Sequence, residues 1–328
     1  MSISTQPLAL ICDDEADFYC EALGAAVPGL QFEALAPGPQ AADDPRLAEC
    51  EVLASFAMHL PAQAFSRAGR LRWYQALGAG TDKVMADPAR PANVWITSSS
   101  GIHGPMLGEM AIFLLLSLAR EARALHRQQA EARWERQPGS LLKGKNVVVV
   151  GTGASGTEIR RLCAAMGMRV VAASSAPRAL PHAERCIGLD ALGPTLAEGD
   201  FLVLATPFSA ATERLINLAM FQAMKPGLGL VNLSRGGIVD EDALLQALDD
   251  GTVRAAAMDV FAQEPLPAAH PLWRHPKMIV TPHVAGHVRE YAAENLPLLQ
   301  HNFQAYANGE PAAMRNIVTG PATHSDPA

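Results

Sequence analysis

Val147-Val148-Val149-Val150-Gly151-Thr152-Gly153-Ala154-Ser155-Gly156 is the stretch that decides the fold. The β-branched run reads as a buried strand, and a G-x-G-x-x-G pattern follows it at once. A helical segment from about Ser155 to Met166 comes next, with Gly167 where a glycine beyond a helix end belongs. In this setting each glycine has a task. Gly151 permits the tight turn, Gly153 omits a Cβ that would block a pyrophosphate, and Gly156 lets the helix lie close on its strand. The backbone N–H groups near Ala154 and Ser155 then face an anion at the positive end of the helix. Strand, turn and helix together predict a dinucleotide-binding Rossmann unit.

The end of the following strand, Arg169–Ala173, bears on which dinucleotide is bound. A ribose 2′-hydroxyl is normally held by an acid about twenty residues beyond the glycines. Ser174 and Ser175 stand there instead, and the next acid is Glu184. Hydroxyls with a nearby guanidinium, here Arg178, suit a 2′-phosphate, which a carboxylate would repel. The expected cofactor is therefore NADP, with NAD as the alternative.

Further out, apolar runs alternate with helical segments in both directions. Leu8–Cys12, Leu30–Leu35, Val52–Phe56, Leu71–Leu77 and Val94–Thr97 read as strands before the boundary at Lys143-Gly144-Lys145. Phe201–Ala205, Leu228–Leu233, Ala255–Met258 and Lys277–Thr281 read as strands after it. Such alternation predicts an α/β fold with two doubly wound parallel sheets. Residues 105–126 read as one helix, apolar on nearly every face, which must be buried in the core or shared with a second subunit. Its polar continuation from Glu121 to Arg136, with Trp134, would form an arm over that partner.

Composition limits the function classes. At 328 residues the chain holds about two domains. Its formal net charge of −7, without a long basic run, argues against nucleic-acid binding. The longest greasy run, Met110 to Ala119, is too short to span a bilayer. The first residues lack the basic start of a signal peptide. Five cysteines without a C-x-x-C pair exclude a zinc ribbon, and no metal site is expected. A cytoplasmic location is the natural reading. The polar tail from Thr319 to Ala328 is expected to fray.

Three polar residues stand just beyond strand ends, where open α/β sheets place their chemistry. Arg235 precedes Gly236-Gly237, Glu264 precedes Pro265, and His283 follows Thr281-Pro282. Each is ambiguous alone, but their conjunction with a dinucleotide turn points to hydride transfer at a 2-hydroxy or 2-keto acid. Arg235 can bind the carboxylate and polarise the keto oxygen. His283 can move the hydroxyl proton near neutral pH. Glu264, if bonded to His283, would favour the imidazolium. His287, close to His283, is expected to make a structural hydrogen bond, and His103, before the long helix, is read the same way.

These segments also carry a family resemblance. Asn232-Leu233-Ser234-Arg235-Gly236-Gly237-Ile238-Val239-Asp240, Met258-Asp259-Val260-Phe261 through Glu264-Pro265-Leu266, and Thr281-Pro282-His283-Val284-Ala285-Gly286 closely resemble signatures of the D-isomer-specific 2-hydroxyacid dehydrogenases. The similarity runs from about Gln75 to Asn316. It implies that Arg235, Glu264 and His283 are the catalytic set. It also implies cofactor contacts from Thr206, Pro207, Leu233 and Ser234, and from Asp259 to the nicotinamide carboxamide. Gln75-Ala76-Leu77-Gly78-Ala79-Gly80 resembles the family's substrate loop, so Leu77, Gly78, Ala79 and Gly80 are expected to hold the substrate carboxylate through backbone N–H groups. Side chains near Phe56, Met58 and Leu77 would then set specificity.

The resemblance further implies two Rossmann-like domains, the second inserted into the first. Residues 1–100 plus 288–328 would form the flavodoxin-like substrate domain, and 101–287 the dinucleotide domain. The helix near 105–126 matches the family's homodimer-forming element. The serine pair resembles the NADP-preferring glyoxylate/hydroxypyruvate reductases, although those carry an Arg where Ser175 stands here. The leading expectation is an NADPH-dependent reductase of a small 2-keto acid. The alternatives are an NAD-dependent dehydrogenase of another 2-hydroxy acid and a dinucleotide-sensing, corepressor-like binding protein.

Overall fold

Residues 6–321 are described by a computed structural model, and the chain divides into two units. One unit holds the residues up to Ile102 and those from Arg289 onward, and the other is His103–Val288.

The first unit is built on β1 (Leu8–Cys12), β2 (Gln31–Leu35), β3 (Val52–Ser55), β4 (Trp73–Ala76) and β5 (Trp95–Ser98), which run parallel. Including β13 (Ile317–Thr319), the sheet order is β13-β5-β4-β3-β1-β2, with β13 antiparallel to β5. Successive residues of β1 enter opposite cores, Ala9 and Ile11 on one face and Leu10 and Cys12 on the other. This explains why its sequence is continuously apolar rather than alternating. Helix α1 (Ala16–Ala26) packs against α6 (Tyr291–Ala307), which brings Leu299 and Phe303 into the same core as Trp73. The last positions of the tail expected to fray, residues 322–328, lie outside the described residues, whereas Thr319 ends β13.

The second unit carries β6 (Asn146–Val150), β7 (Arg169–Ala173), β8 (Arg185–Ile187), β9 (Phe201–Leu204), β10 (Leu228–Asn232), β11 (Val253–Met258) and β12 (Met278–Val280). All are parallel, in the order β8-β7-β6-β9-β10-β11-β12. The order reverses between β6 and β9, which is where an open α/β sheet leaves a crevice beyond its carboxyl ends. Helix α4 (Ala154–Ala165) follows β6, and α5 (Glu241–Asp250) precedes β11. Every strand read from the sequence forms, with ends shifted by a residue or two; β8 and β13 are additional and short.

The long apolar helix differs from expectation. Helix α2 ends at Ala119, having begun at Gly104, and a separate α3 spans Ala122–Ala130. Between them Glu121 has φ 56°, a left-handed backbone. The cause is the returning chain: the Ser140 N–H donates to the Ala119 carbonyl at 2.7 Å, taking the acceptor that would have continued the ladder. Ala111, Leu114, Leu115 and Leu118 of α2 lie in the core, while Phe113, Leu125 and Trp134 stay exposed.

Candidate active site

The glycine-rich turn sits at the switch point between β6 and β9. Gly151 has φ 115°, and a Cβ there would land on the Ala205 carbonyl at the end of β9. A Cβ on Gly156 would land on the Gly151 carbonyl, so only glycine lets α4 lie this close to its strand. At Gly153 the space where a Cβ would stand has no atom within 4 Å. The N–H groups of Ala154, Ser155 and Gly156, in the first turn of α4, have no intrahelical partner. A cradle of this shape, open on its outer side and lined by N–H donors, fits the pyrophosphate of a dinucleotide.

Ser174, at the end of β7, lies beside this turn. Its hydroxyl is 3.4 Å from that of Thr152 and accepts from the Ala176 N–H at 3.2 Å. Ser175 and Arg178 follow on an exposed loop. Thr206 and Pro207 begin the loop after β9, next to Gly151, and the Pro207 carbonyl accepts from the Thr212 hydroxyl at 2.9 Å.

Arg235 leaves the end of β10 on a turn organised by Asn232. The Asn232 side-chain oxygen accepts from the Ser234 N–H and hydroxyl, and its amide donates to the Arg235 carbonyl. Ser234 thus turns its hydroxyl inward, and Leu233 is buried with its N–H on the Leu204 carbonyl. The Arg235 guanidinium donates to the Ser234 carbonyl at 2.8 Å. A Cβ on Gly236 would overlap the Phe261 and Ala262 backbone, so the missing side chain is what lets the Arg235 turn and the Glu264 loop touch.

Glu264 joins the next two loops. Its Oε1 accepts from the Phe261 N–H at 2.9 Å, and its Oε2 lies 2.8 Å from His283 Nδ1. His283 is half-exposed and has φ 54°, a conformation uncommon for a residue with a Cβ. Asp259 holds it there. Its carbonyl accepts from the His283 N–H, and its buried carboxylate accepts from the Thr281 hydroxyl and the N–H groups of Val284 and Ala285. Asp259, expected to meet a carboxamide, therefore has a loop-holding task as well.

His103 and His287, which flank these loops in sequence, part company. His103 packs against Gly286 near Arg235; burial first, and then the Arg235 charge, push its imidazole down to about 4. His287 is exposed, and among the described residues its side chain makes no hydrogen bond, which corrects the structural bond expected of it.

In the first unit the expected substrate loop follows β4, and here Leu77 needs correcting. Its N–H donates to the Ser55 carbonyl, and its carbonyl accepts from the Tyr291 hydroxyl at 2.7 Å and the Asn295 amide at 3.1 Å. Its side chain lies in the core. Leu77 has nothing left for a ligand and is framework. The N–H groups of Gly78, Ala79 and Gly80 have no hydrogen-bond partner among the described residues. Phe56 packs on Gly78, and Met58 is exposed.

Three features escaped the sequence reading. Asp13 and His59, after β1 and β3, pair at 3.0 Å. Tyr291 and Asn295, four apart on α6, hold Leu77. Arg160 is wholly buried beneath the glycine-rich turn. Spacing carried a signal for the last two: Tyr291 and Asn295 share a helix face, and Arg160 lies four residues after the inward-facing Gly156.

Comparison with known proteins accords with this geometry. Residues 112–285 match the family described as D-isomer specific 2-hydroxyacid dehydrogenase, NAD binding domain. Over 226 residues the chain is 34% identical to D-3-phosphoglycerate dehydrogenase 2, chloroplastic, of Arabidopsis thaliana; the match covers 68% of this chain but only 36% of that relative. It is 29% identical to glyoxylate/hydroxypyruvate reductase A of Serratia proteamaculans, across 93% of this chain and 96% of the relative. Among solved structures, a D-isomer specific 2-hydroxyacid dehydrogenase from Xanthobacter autotrophicus Py2, in complex with NADPH and MES, superposes with a TM-score of 0.80 at 30% identity, covering 94% of this chain and 97% of that one.

Proposed function

Because this chain belongs to the D-isomer specific 2-hydroxyacid dehydrogenase family, we propose that it reduces a small 2-keto acid to the D-2-hydroxy acid, with NADPH as the preferred reductant and glyoxylate or hydroxypyruvate as substrate. The observation that carries this reading is the 2.8 Å pair between His283 Nδ1 and Glu264 Oε2, on the same carboxyl edge as Arg235 and the glycine-rich turn.

Each residue then has a role that its surroundings support. When bound, the reduced nicotinamide supplies the hydride to the keto carbon. The Arg235 guanidinium binds the substrate carboxylate and polarises the keto bond. Glu264 orients the imidazolium through Nδ1, which leaves Nε2 to give its proton to the oxygen as the alcohol forms. Hydride and proton together convert C=O to CH–OH, and neutral imidazole remains. Taken by themselves, the N–H groups of Gly78, Ala79 and Gly80 are donors of the kind that suit a carboxylate.

Ser174, Ser175 and Arg178 in place of an acid support NADPH, as does the NADPH in the Xanthobacter structure. Exposed Phe113, Leu125 and Trp134 on and after α2 and α3 support a homodimer through this segment. Among the described residues no helix is long and apolar enough to cross a membrane.

The test is a panel of 2-keto acids assayed with NADPH and with NADH. The reading expects oxidation of NADPH with glyoxylate or hydroxypyruvate and a lower kcat/KM with NADH. Consumption of neither reduced cofactor with any keto acid would overturn it.

A further inference from the structure

Helix α4 turns one charged side chain toward the sheet. Gly156 faces β6, and Arg160, one turn later, lies on the same side. Its relative exposure is 0%, which is rare for arginine without a paired acid. Nη1 donates to the Gly151 carbonyl at 3.3 Å and Nη2 to the Thr157 hydroxyl at 3.0 Å. Nε is buried and has no partner among the described residues.

Among the described residues the charge also lacks a counter-ion. None of the ion pairs among the described residues includes Arg160. Burial pulls its pKa below the ordinary guanidinium value, the nearby Cys186 thiol acts the other way, and the like charge of Arg178 adds to the lowering. Two guanidinium groups near one sheet edge, one buried and one exposed, repel each other unless an anion arrives. Burying a charge without a partner is costly. A residue that served only to fill this space would do so better without its charge.

We infer that Arg160 is a positioning residue whose buried charge is balanced by the phosphate groups of the bound dinucleotide. It acts from beneath the turn: it fixes the Gly151 carbonyl and lends positive potential to the cradle above. The inference rests on the dinucleotide reading of that cradle. The phosphate could be the pyrophosphate, present in NAD and NADP alike, or the 2′-phosphate, present in NADP alone.

The test compares wild type, Arg160→Met and Arg160→Gln. Calorimetric Kd values for NADP+ and NAD+ are measured at two salt concentrations, along with the thermal midpoint of the ligand-free protein. Glutamine can still donate to Gly151 but carries no charge, so it separates a hydrogen-bonding role from an electrostatic one. The inference expects both variants to bind NADP+ about tenfold more weakly, with a flatter salt dependence. It also expects the ligand-free midpoint of Arg160→Met to stay level or rise. Loss confined to NADP+ identifies the 2′-phosphate, and equal loss for NAD+ identifies the pyrophosphate; either supports the inference. An Arg160→Gln protein that binds both dinucleotides within twofold of wild type overturns it, whether or not the methionine variant folds. The readings fail separately: wild type that prefers NAD+ ends the NADPH preference but leaves the Arg160 role to the NAD+ comparison. Wild type that binds neither dinucleotide removes both.

Discussion

The two sheets present the carboxyl edges of their parallel strands in different ways. In the second unit the edge is made of side chains: Arg235, Glu264 and His283 stand after β10, β11 and β12, steadied by Asn232 and Asp259. In the first unit the edge after β4 is backbone. Gly78, Ala79 and Gly80 offer N–H groups, and Tyr291 and Asn295 of α6 fix the chain by holding Leu77. Under the proposed function, the difference matches two demands. Proton transfer needs groups that change charge, which only side chains supply. Holding a carboxylate needs only fixed donors, which backbone supplies without a rotamer to order.

This contrast can be broken at either edge. The largest expected effect is at the proposed proton donor: His283→Ala should lower kcat by roughly 10²–10⁴-fold while the dinucleotide Kd stays near wild type. Steady-state kinetics beside calorimetry would show it, and a variant keeping most of its turnover would remove His283 as proton donor. Next comes Gly236→Ala. The added Cβ would overlap the Phe261 backbone and drive the Arg235 and Glu264 loops apart. A loss of about 2–4 kcal/mol in denaturant unfolding is expected.

At the backbone edge, Asn295→Ala leaves the Leu77 carbonyl with one donor of two. The expected cost is about 1–3 kcal/mol of stability, with a rise in KM for the keto acid that exceeds the fall in kcat. A kcat defect alone would show that the loop does not bind substrate. The smallest effect concerns pH. His103 is lowered from 6.5 to about 4 in the folded protein, so the unfolded chain binds its proton first. The stability that neutral His103 contributes is intact above about 6.5 and is lost as pH falls toward 4. His103→Asn should therefore flatten the acid limb of the melting-temperature profile in that window, by about 1–2 kcal/mol given its partial exposure. An unchanged slope would show that His103 does not titrate this way.

The same contrast explains what could be read from the sequence. The glycine turn and the clustering of Arg235, Glu264 and His283 at one carboxyl edge were legible because the three, each ambiguous alone, follow strand ends and are flanked by Gly or Pro. The sheet arrangement was legible because strands buried on both faces leave continuous apolar runs. Leu77 was misjudged because a sequence does not say where a backbone N–H points; its donor goes to Ser55. The break after Ala119 depends on Ser140, which arrives from a later segment, so no local pattern announced it. The pair of Asp13 and His59 joins two loops brought together only by the adjacency of β1 and β3.

The most direct measurement is a titration of glyoxylate with NADPH, using wild type and Arg235→Ala at equal dinucleotide occupancy. The account predicts turnover by wild type, and for the variant a raised KM together with a kcat lowered at least about 10²-fold, because one cation serves the bound acid and its transition state. A variant that matches wild type in both parameters would contradict it.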